Sequence, residues 1–269
     1  IYDVSARQHR PLLLQNDMGR FSDITNKAGI DHRGIERGAL FIDRENDGFL
    51  DLYLIREGQN LMYANVNEGV FENVTGPSGL GDAGNGQDAL FFDLDQEGDL
   101  DLVLGNQEAT RVFRNDGTGI YMKLSDPAGI FPEEKGTRDM AIGDFDDDGD
   151  VDLVLVRPDG QVQLYMNLRD SRFADLTEEA GLGEVLSARR ISCGDVDNDG
   201  YPDLLILEAE TPPRLFINQG DARFLEHAEF RKAIGQSGFD TSHDALFFDF
   251  DNDGFQDILL AGIPGRSEE

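Results

Sequence analysis

Residues 144–152 read DFDDDGDVD and run straight into the apolar stretch LVLV at 153–156. Six carboxylates in nine residues repel one another at neutral pH, so a cation is the natural complement. Four further copies stand along the chain: DRENDGFLD at 43–51, DLDQEGDLD at 93–101, DVDNDGYPD at 195–203 and DFDNDGFQD at 249–257. Their starts lie 50, 51, 51 and 54 residues apart. Self-similarity at such a period marks a repeat architecture.

The rest of each period repeats as well. An apolar stretch precedes each loop (GALFI, DALFF, DMAIG, RISCG, DALFF) and a strand-like run follows it (LYLI, LVLG, LVLV, LLIL, ILLA). A hairpin pattern comes next, as in LYMNLRDSRFADLT at 164–177, and the chain opens on another copy, LLLQNDMGRFSDIT at 12–25. Turn residues between alternating runs signal hairpins. The period is therefore first strand, acidic loop, second strand and hairpin. Four short strands in about 50 residues make one propeller blade. A small motif follows most hairpins, at Thr25–Gly29, Thr75–Gly79, Ser125–Gly129 and Thr177–Gly181. There the hydroxyl is expected to N-cap one helical turn and the glycine to end it left-handed. Pro77 and Pro127 sit early in that turn, and Ala228–Lys232 lacks both cap and glycine.

The expected fold is an all-β propeller of four-stranded blades in one domain, residues 1–269. The chain begins with the hairpin 12–25 and ends with a first strand, loop and second strand at 243–262. Joined, these would complete a fifth blade. The alternative is a segment of a seven-bladed propeller.

Positions 1, 3, 5 and 9 of each loop supply the candidate side-chain ligands: Asp43, Glu45, Asp47 and Asp51; Asp93, Asp95, Glu97 and Asp101; Asp144, Asp146, Asp148 and Asp152; Asp195, Asp197, Asp199 and Asp203; Asp249, Asp251, Asp253 and Asp257. Position 6 is always glycine, for the sharp turn. Position 7 varies (Phe49, Asp99, Asp150, Tyr201, Phe255), as expected where only the backbone carbonyl binds. The Asp147 and Asp150 carboxylates are expected to face solvent. A shell of six or seven oxygens suits calcium better than magnesium, which demands an octahedron and keeps its waters. Zinc would ask for His or Cys. An EF-hand would need Glu at position 12, where this chain has Leu54, Leu104, Leu155, Ile206 and Leu260. About five calcium ions are expected, one per loop, with the sites containing Glu45 and Glu97 distorted or weaker.

Composition agrees. The net charge is −31, and 23 of the 54 acidic residues sit in the five loops. Such a surface disfavours nucleic acid and anionic membranes. The clustering points to a cation binder rather than an evenly solvated acidic surface. No apolar run approaches the ~20 residues of a membrane span, and IYDVSARQHR at the start has no apolar signal-peptide core. The single cysteine, Cys193, forms no internal disulfide and is expected to be buried and inert.

The repeat resembles the FG-GAP/VCBS family of β-propellers, which includes the integrin α-subunit head and bacterial proteins of the ASPIC/UnbV type. The resemblance rests on the five Asp-rich loops and on segments such as FSDITNKAGI at 21–30 and FADLTEEAGL at 173–182. It implies calcium in the loops, an extracellular, cell-surface or periplasmic location, and a role in adhesion or protein interaction. Family propellers usually have seven blades, against five repeats here.

Catalytic signatures are missing from the sequence. The four histidines, His9, His32, His227 and His243, make no metal-protease spacing, and there is no nucleophile elbow or phosphate-binding glycine loop. One further set recurs six residues before each loop: Arg37, Gln87, Arg138, Arg189 and His243. At the start of an innermost strand these side chains could ring a channel mouth and take an anion, an acidic peptide or a carboxylate-bearing glycan. The neighbouring Asp88, Asp139 and Asp244 could instead neutralise them locally. The expected function is a non-enzymatic, calcium-binding interaction scaffold with a protein or glycan partner. A lectin-like propeller, and an enzyme or cofactor-bearing subunit with its site at the channel mouth, are the alternatives.

Overall fold

The computed structural model describes residues 11–67, 69–124, 136–169, 172–237 and 239–264. The Ser125–Gly129 motif and His9 lie outside them. Contacts gather the chain into two compact units, residues 1–93 with 97–125 and residues 94–96 with 126–269.

In the first unit, β1 (Leu14–Asp17) and β2 (Arg20–Asp23) form a hairpin. One blade follows: β3 (Glu36–Ile42), β4 (Asp51–Arg56), β5 (Leu61–Asn67) and β6 (Val70–Asn73). The next is β7 (Gly86–Phe92), β8 (Asp101–Asn106), β9 (Thr110–Asn115) and β10 (Tyr121–Lys123). In the second unit come β11 (Asp139–Gly143), β12 (Asp152–Val156), β13 (Val162–Asn167) and β14 (Phe173–Asp175). Then follow β15 (Ala188–Gly194), β16 (Asp203–Glu208), β17 (Arg214–Asn218) and β18 (Phe224–Glu226). The pair β19 (Phe239–Phe248) and β20 (Asp257–Pro264) ends the described chain. Each blade is an antiparallel meander in sequence order, while β1–β2 and β19–β20 are two-stranded sheets. The four-stranded blades of a β-propeller are thus formed. Union of the two terminal pairs in a fifth blade stays an expectation.

The continuous apolar second strands have a simple cause. In the four-stranded blades each is buried on both faces, so neither face needs polar residues. In the two-stranded sheet β20 is not so covered, with Leu259 55% exposed. Along β4, Leu52 and Leu54 pack toward Ala28, Ile30 and Phe71, while Tyr53 and Ile55 pack toward Leu102, Leu104 and Phe113 of the next blade. Along β16, Leu204 and Ile206 face Val154 and Val156, and Leu205 and Leu207 face Phe247 and Ile258. Strand alternation thus divides one apolar run between two inter-blade cores.

The small post-hairpin motifs depart from the expected capping. Thr25, Thr75 and Thr177 do not cap a helix. Their Oγ1 atoms accept the backbone N–H of Leu13, Met62 and Leu164 at 2.9, 2.9 and 3.0 Å, which completes the hydrogen bonding at the start of each hairpin. The helix α1 (Thr75–Ser78) has no side-chain cap. The glycines do as expected, with Gly29, Gly79 and Gly181 at φ of about 80°. Where no such glycine stands, the turn propagates into the ten-residue helix α2 (Ala228–Ser237), with Phe230 N–H donating to His227 Nδ1.

Gly29 carries two constraints, its positive φ and its approach to β6: a Cβ there would lie 2.6 Å from the carbonyl oxygen of Phe71. Gly19, in the β1–β2 turn, shares the positive φ but has nothing within 4 Å. Gly19→Ala should therefore cost about 1 kcal/mol from backbone strain alone. Gly29→Ala should cost about 2–3 kcal/mol, because β6 must also move. Urea unfolding of the two variants compares them, and equal losses would contradict the contact.

Candidate metal centres

All five acidic loops share the same two left-handed turns, and four of them share one hydrogen-bonded skeleton; in the second loop Asp93 accepts Gly98 N–H on Oδ2 at 3.0 Å. Position 1 accepts two backbone donors: Asp148 and Gly149 N–H reach Asp144 at 3.1 and 3.0 Å, and the same pairs bind Asp43, Asp195 and Asp249. Position 5 accepts from the N–H of position 7, as Phe49 to Asp47 and Tyr201 to Asp199. Position 4 is left-handed at Asn46, Gln96, Asp147, Asn198 and Asn252, and so is the glycine at position 6. Two left-handed residues in six wind the loop tightly enough to turn alternate carboxylates inward.

Position 9 does more than close the loop. Asp152 accepts Phe145 N–H on Oδ2 and Asn167 N–H on Oδ1, at 2.9 and 2.8 Å. Asp203 does the same with Val196 and Asn218. The asparagine that ends the third strand in three blades, Asn115, Asn167 and Asn218, was not foreseen as a functional position. Asn167 also donates its side-chain amide to the carbonyls of Val151 and Leu94, and Asn218 to those of Pro202 and Phe145. It thus ties its own loop to the preceding one. Its signal lay in the hairpin repeats LYMN and LFIN, which read as turn residues only.

In four loops three carboxylates converge, each offering an oxygen within 4.8 Å of the others: Asp93, Asp95 and Asp101; Asp144, Asp146 and Asp152; Asp195, Asp197 and Asp199; Asp249, Asp251 and Asp257. Oδ1 of Asp93 is buried without a hydrogen-bond donor. Hard anionic oxygens alone, with a buried acceptor left over, fit calcium. Among the other candidates, Glu97 pairs with Arg114 at 2.6 Å. In the first loop, Glu45 and Asp51 face the guanidinium of Arg44.

Asp150 corrects an expectation. Its carboxylate does not face solvent: the residue is 2% exposed. It is held by Arg169 at 2.7 Å and by the amide of Gln96. Asp147 is exposed as expected. Amides at position 4 also reach the next loop's glycine carbonyl, Asn46 to Gly98 and Asn198 to Gly254 at 3.1 and 2.6 Å.

Electrostatics record the crowding. Burial lifts Asp152 to about 7, with Asp146 and Asp148 adding to the rise. Burial likewise lifts Asp203 to about 6, helped by Asp197 and Asp199. In the first loop burial and Asp51 lift Glu45 to about 7, against the pull of Arg44. A carboxyl raised above its unfolded value stabilises the fold at low pH and loses that contribution as pH rises through the folded value. In a chelator the protein should therefore melt several degrees higher at pH 5.5 than at pH 8. Thermal scans in EGTA check this, and a higher melt at pH 8 would contradict it.

The recurring positions ahead of the loops are special in a way their spacing did not reveal. Arg37, Gln87, Arg189 and His243 each fall at a β-bulge in the ladder between first and second strand. A bulge re-aims its side chain. Arg37 pairs with Glu57 at 2.8 Å, Gln87 folds onto the carbonyls of Asn85 and Gly86, and Arg138 donates to Pro158 O. Arg189 and His243 are exposed. Asp88, Asp139 and Asp244 bind backbone N–H groups of Ala89, Ile191 and Ala245. Cys193 is partly buried, its thiol donating to Ile142 O at 3.0 Å, and burial raises its pKa.

The model of the FG-GAP-like repeat matches four overlapping stretches, residues 43–104, 93–155, 144–206 and 195–260. The chain belongs to the FG-GAP-like repeat family. Each match runs from one acidic loop through the next loop's second strand, so the repeat unit is the one outlined above. Among curated proteins none matches the chain. Among solved structures, this FG-GAP-like repeat chain is similar to an Agrocybe aegerita lectin that recognises non-reducing terminal N-acetylglucosamine. The identity is 17% and the TM-score 0.55, over 85% of this chain and 61% of the lectin's. It is also similar to the V. cholerae biofilm matrix protein Bap1, at 14% identity and a TM-score of 0.50, over 87% of this chain and 36% of that one. The chain thus spans less than two thirds of either relative, and at these identities the likeness concerns the fold. No helix among the described residues is long and apolar enough to cross a membrane.

Proposed function

We propose that this FG-GAP-like repeat protein is a calcium-binding, non-enzymatic propeller that serves as an extracellular or periplasmic interaction scaffold. The observation that carries the reading is the convergence of three carboxylates in each of four loops on one repeated backbone frame. Asp144, Asp146 and Asp152 would hold one ion, with Asp148 and the Asp150 carbonyl completing the shell. The equivalent residues of the second, fourth and fifth loops would hold theirs. The ion supplies charge neutralisation and a cross-link between a blade's first two strands. The chain supplies the frame: glycine turns, backbone donors on position 1, and the position-9 aspartate fastened to the third strand.

Location follows from linkage. Sites of the millimolar affinity typical of extracellular calcium modules would fill outside cells and stand empty at cytosolic levels. Protein or glycan partners are both compatible with a surface of net charge −31. Metal analysis after dialysis against millimolar calcium tests the reading at its base. Several bound ions per chain are expected, and a metal-free protein would refute it. Capture of a partner on immobilised protein in calcium, and its release by EGTA, tests the scaffold role.

A further inference from the structure

We infer that the first acidic loop is not a calcium site: the guanidinium of Arg44 takes the place of the ion. The inference rests on the calcium reading of the other four loops. Position 2 is Leu94, Phe145, Val196 and Phe250 in those loops, and Arg44 only in the first. The first loop is also the one with glutamate rather than aspartate at position 3. The two departures belong together in space. Arg44 Nε lies 2.8 Å from Glu45 Oε2 and 3.0 Å from Asp51 Oδ2. Nη2 donates to Glu45 Oε1 at 2.8 Å, so one hydrogen bond and the close Nε–Oε2 ion pair together hold that carboxylate against the guanidinium. Nη1 donates to the carbonyl of Gly119 at 2.7 Å, on the turn of the next blade's hairpin.

The loop skeleton itself is unchanged. Asp43 accepts the N–H groups of Asp47 and Gly48, just as Asp144 accepts those of Asp148 and Gly149. Only the cation differs. A guanidinium cannot lose its charge at any physiological pH and matches carboxylates in a planar fork. With its side chain 10% exposed, it is screened little by solvent. A divalent ion entering the same loop would meet a fixed positive charge within a few ångströms and find two of its four carboxylates already engaged. The longer arm of Glu45 lets its carboxylate reach the fork beside it. The loop is thus permanently closed, and its blade needs no metal.

Metal counting on position-matched variants decides this, read as differences from wild type. Asp199→Asn should lower the calcium count by one, whereas Asp47→Asn should leave it unchanged. The double variant Arg44→Val with Glu45→Asp restores the pattern of the fourth loop and should raise the count by one. Loss of an ion with Asp47→Asn, or no gain in the double variant, would overturn the inference. If wild type binds no calcium at all, the calcium reading fails by itself, and a second measurement still bears on Arg44. In EGTA, Arg44→Val alone should lower the melting temperature by several degrees, and an unchanged melt there would overturn its role as internal cation.

Discussion

Transfer from millimolar calcium into EGTA is expected to lower the melting temperature by tens of degrees. A ligand present at a hundred times its dissociation constant stabilises the fold by about 2.7 kcal/mol per site. Four such sites amount to roughly 10 kcal/mol, comparable to the whole stability of an ordinary domain, about 5–15 kcal/mol. The size of the effect comes from what metal removal leaves behind. Asp146, Asp148 and Asp152 then face one another without a counter-charge, and burial with mutual repulsion raises Asp146 above its ordinary value and Asp152 to about 7. Differential scanning calorimetry with calcium back-titration measures the shift. A melt indifferent to EGTA would remove the metal from the account of stability.

Asp152→Ala is expected to destabilise by about 2–5 kcal/mol whether or not calcium is present. The carboxylate is fully buried and accepts the N–H groups of Phe145 and Asn167. Removing it orphans two buried donors, each worth about 1–3 kcal/mol. Asp146→Asn should behave differently. Asp146 belongs to the same cluster, but its loss should weaken calcium binding while leaving the metal-free protein as stable or more so, since one repulsive charge is gone. Paired denaturation curves in calcium and in EGTA separate the two roles. If the Asp152→Ala loss vanished in EGTA, position 9 would act through the metal alone.

Much of this was legible in the sequence because the repeat multiplies every signal. One acidic turn is ambiguous, while five in register with glycine at position 6 are not. The double-sided burial of second strands was visible as LYLI and LLIL, since a strand with no solvent face carries no alternation. What was hidden had a common character. Asn167 and Asn218 looked like turn residues, yet their amides bridge successive loops. Thr75 looked like a helix cap, yet its hydroxyl serves a strand 13 residues earlier in the chain. Asp150 looked like a solvated carboxylate until Arg169 and Gln96 enclosed it.

By itself the sequence determined the repeat, the blade and the chemistry of the loops, because those depend on residues within one period. Only the tertiary structure decided which carboxylates a cation could share. Glu45, Asp51 and Asp150 differ from their neighbours through Arg44 and Arg169. Whether an arginine lies over a carboxylate depends on how strands and successive blades pack. Charge is local in the sequence, but the partner that neutralises it is chosen in space.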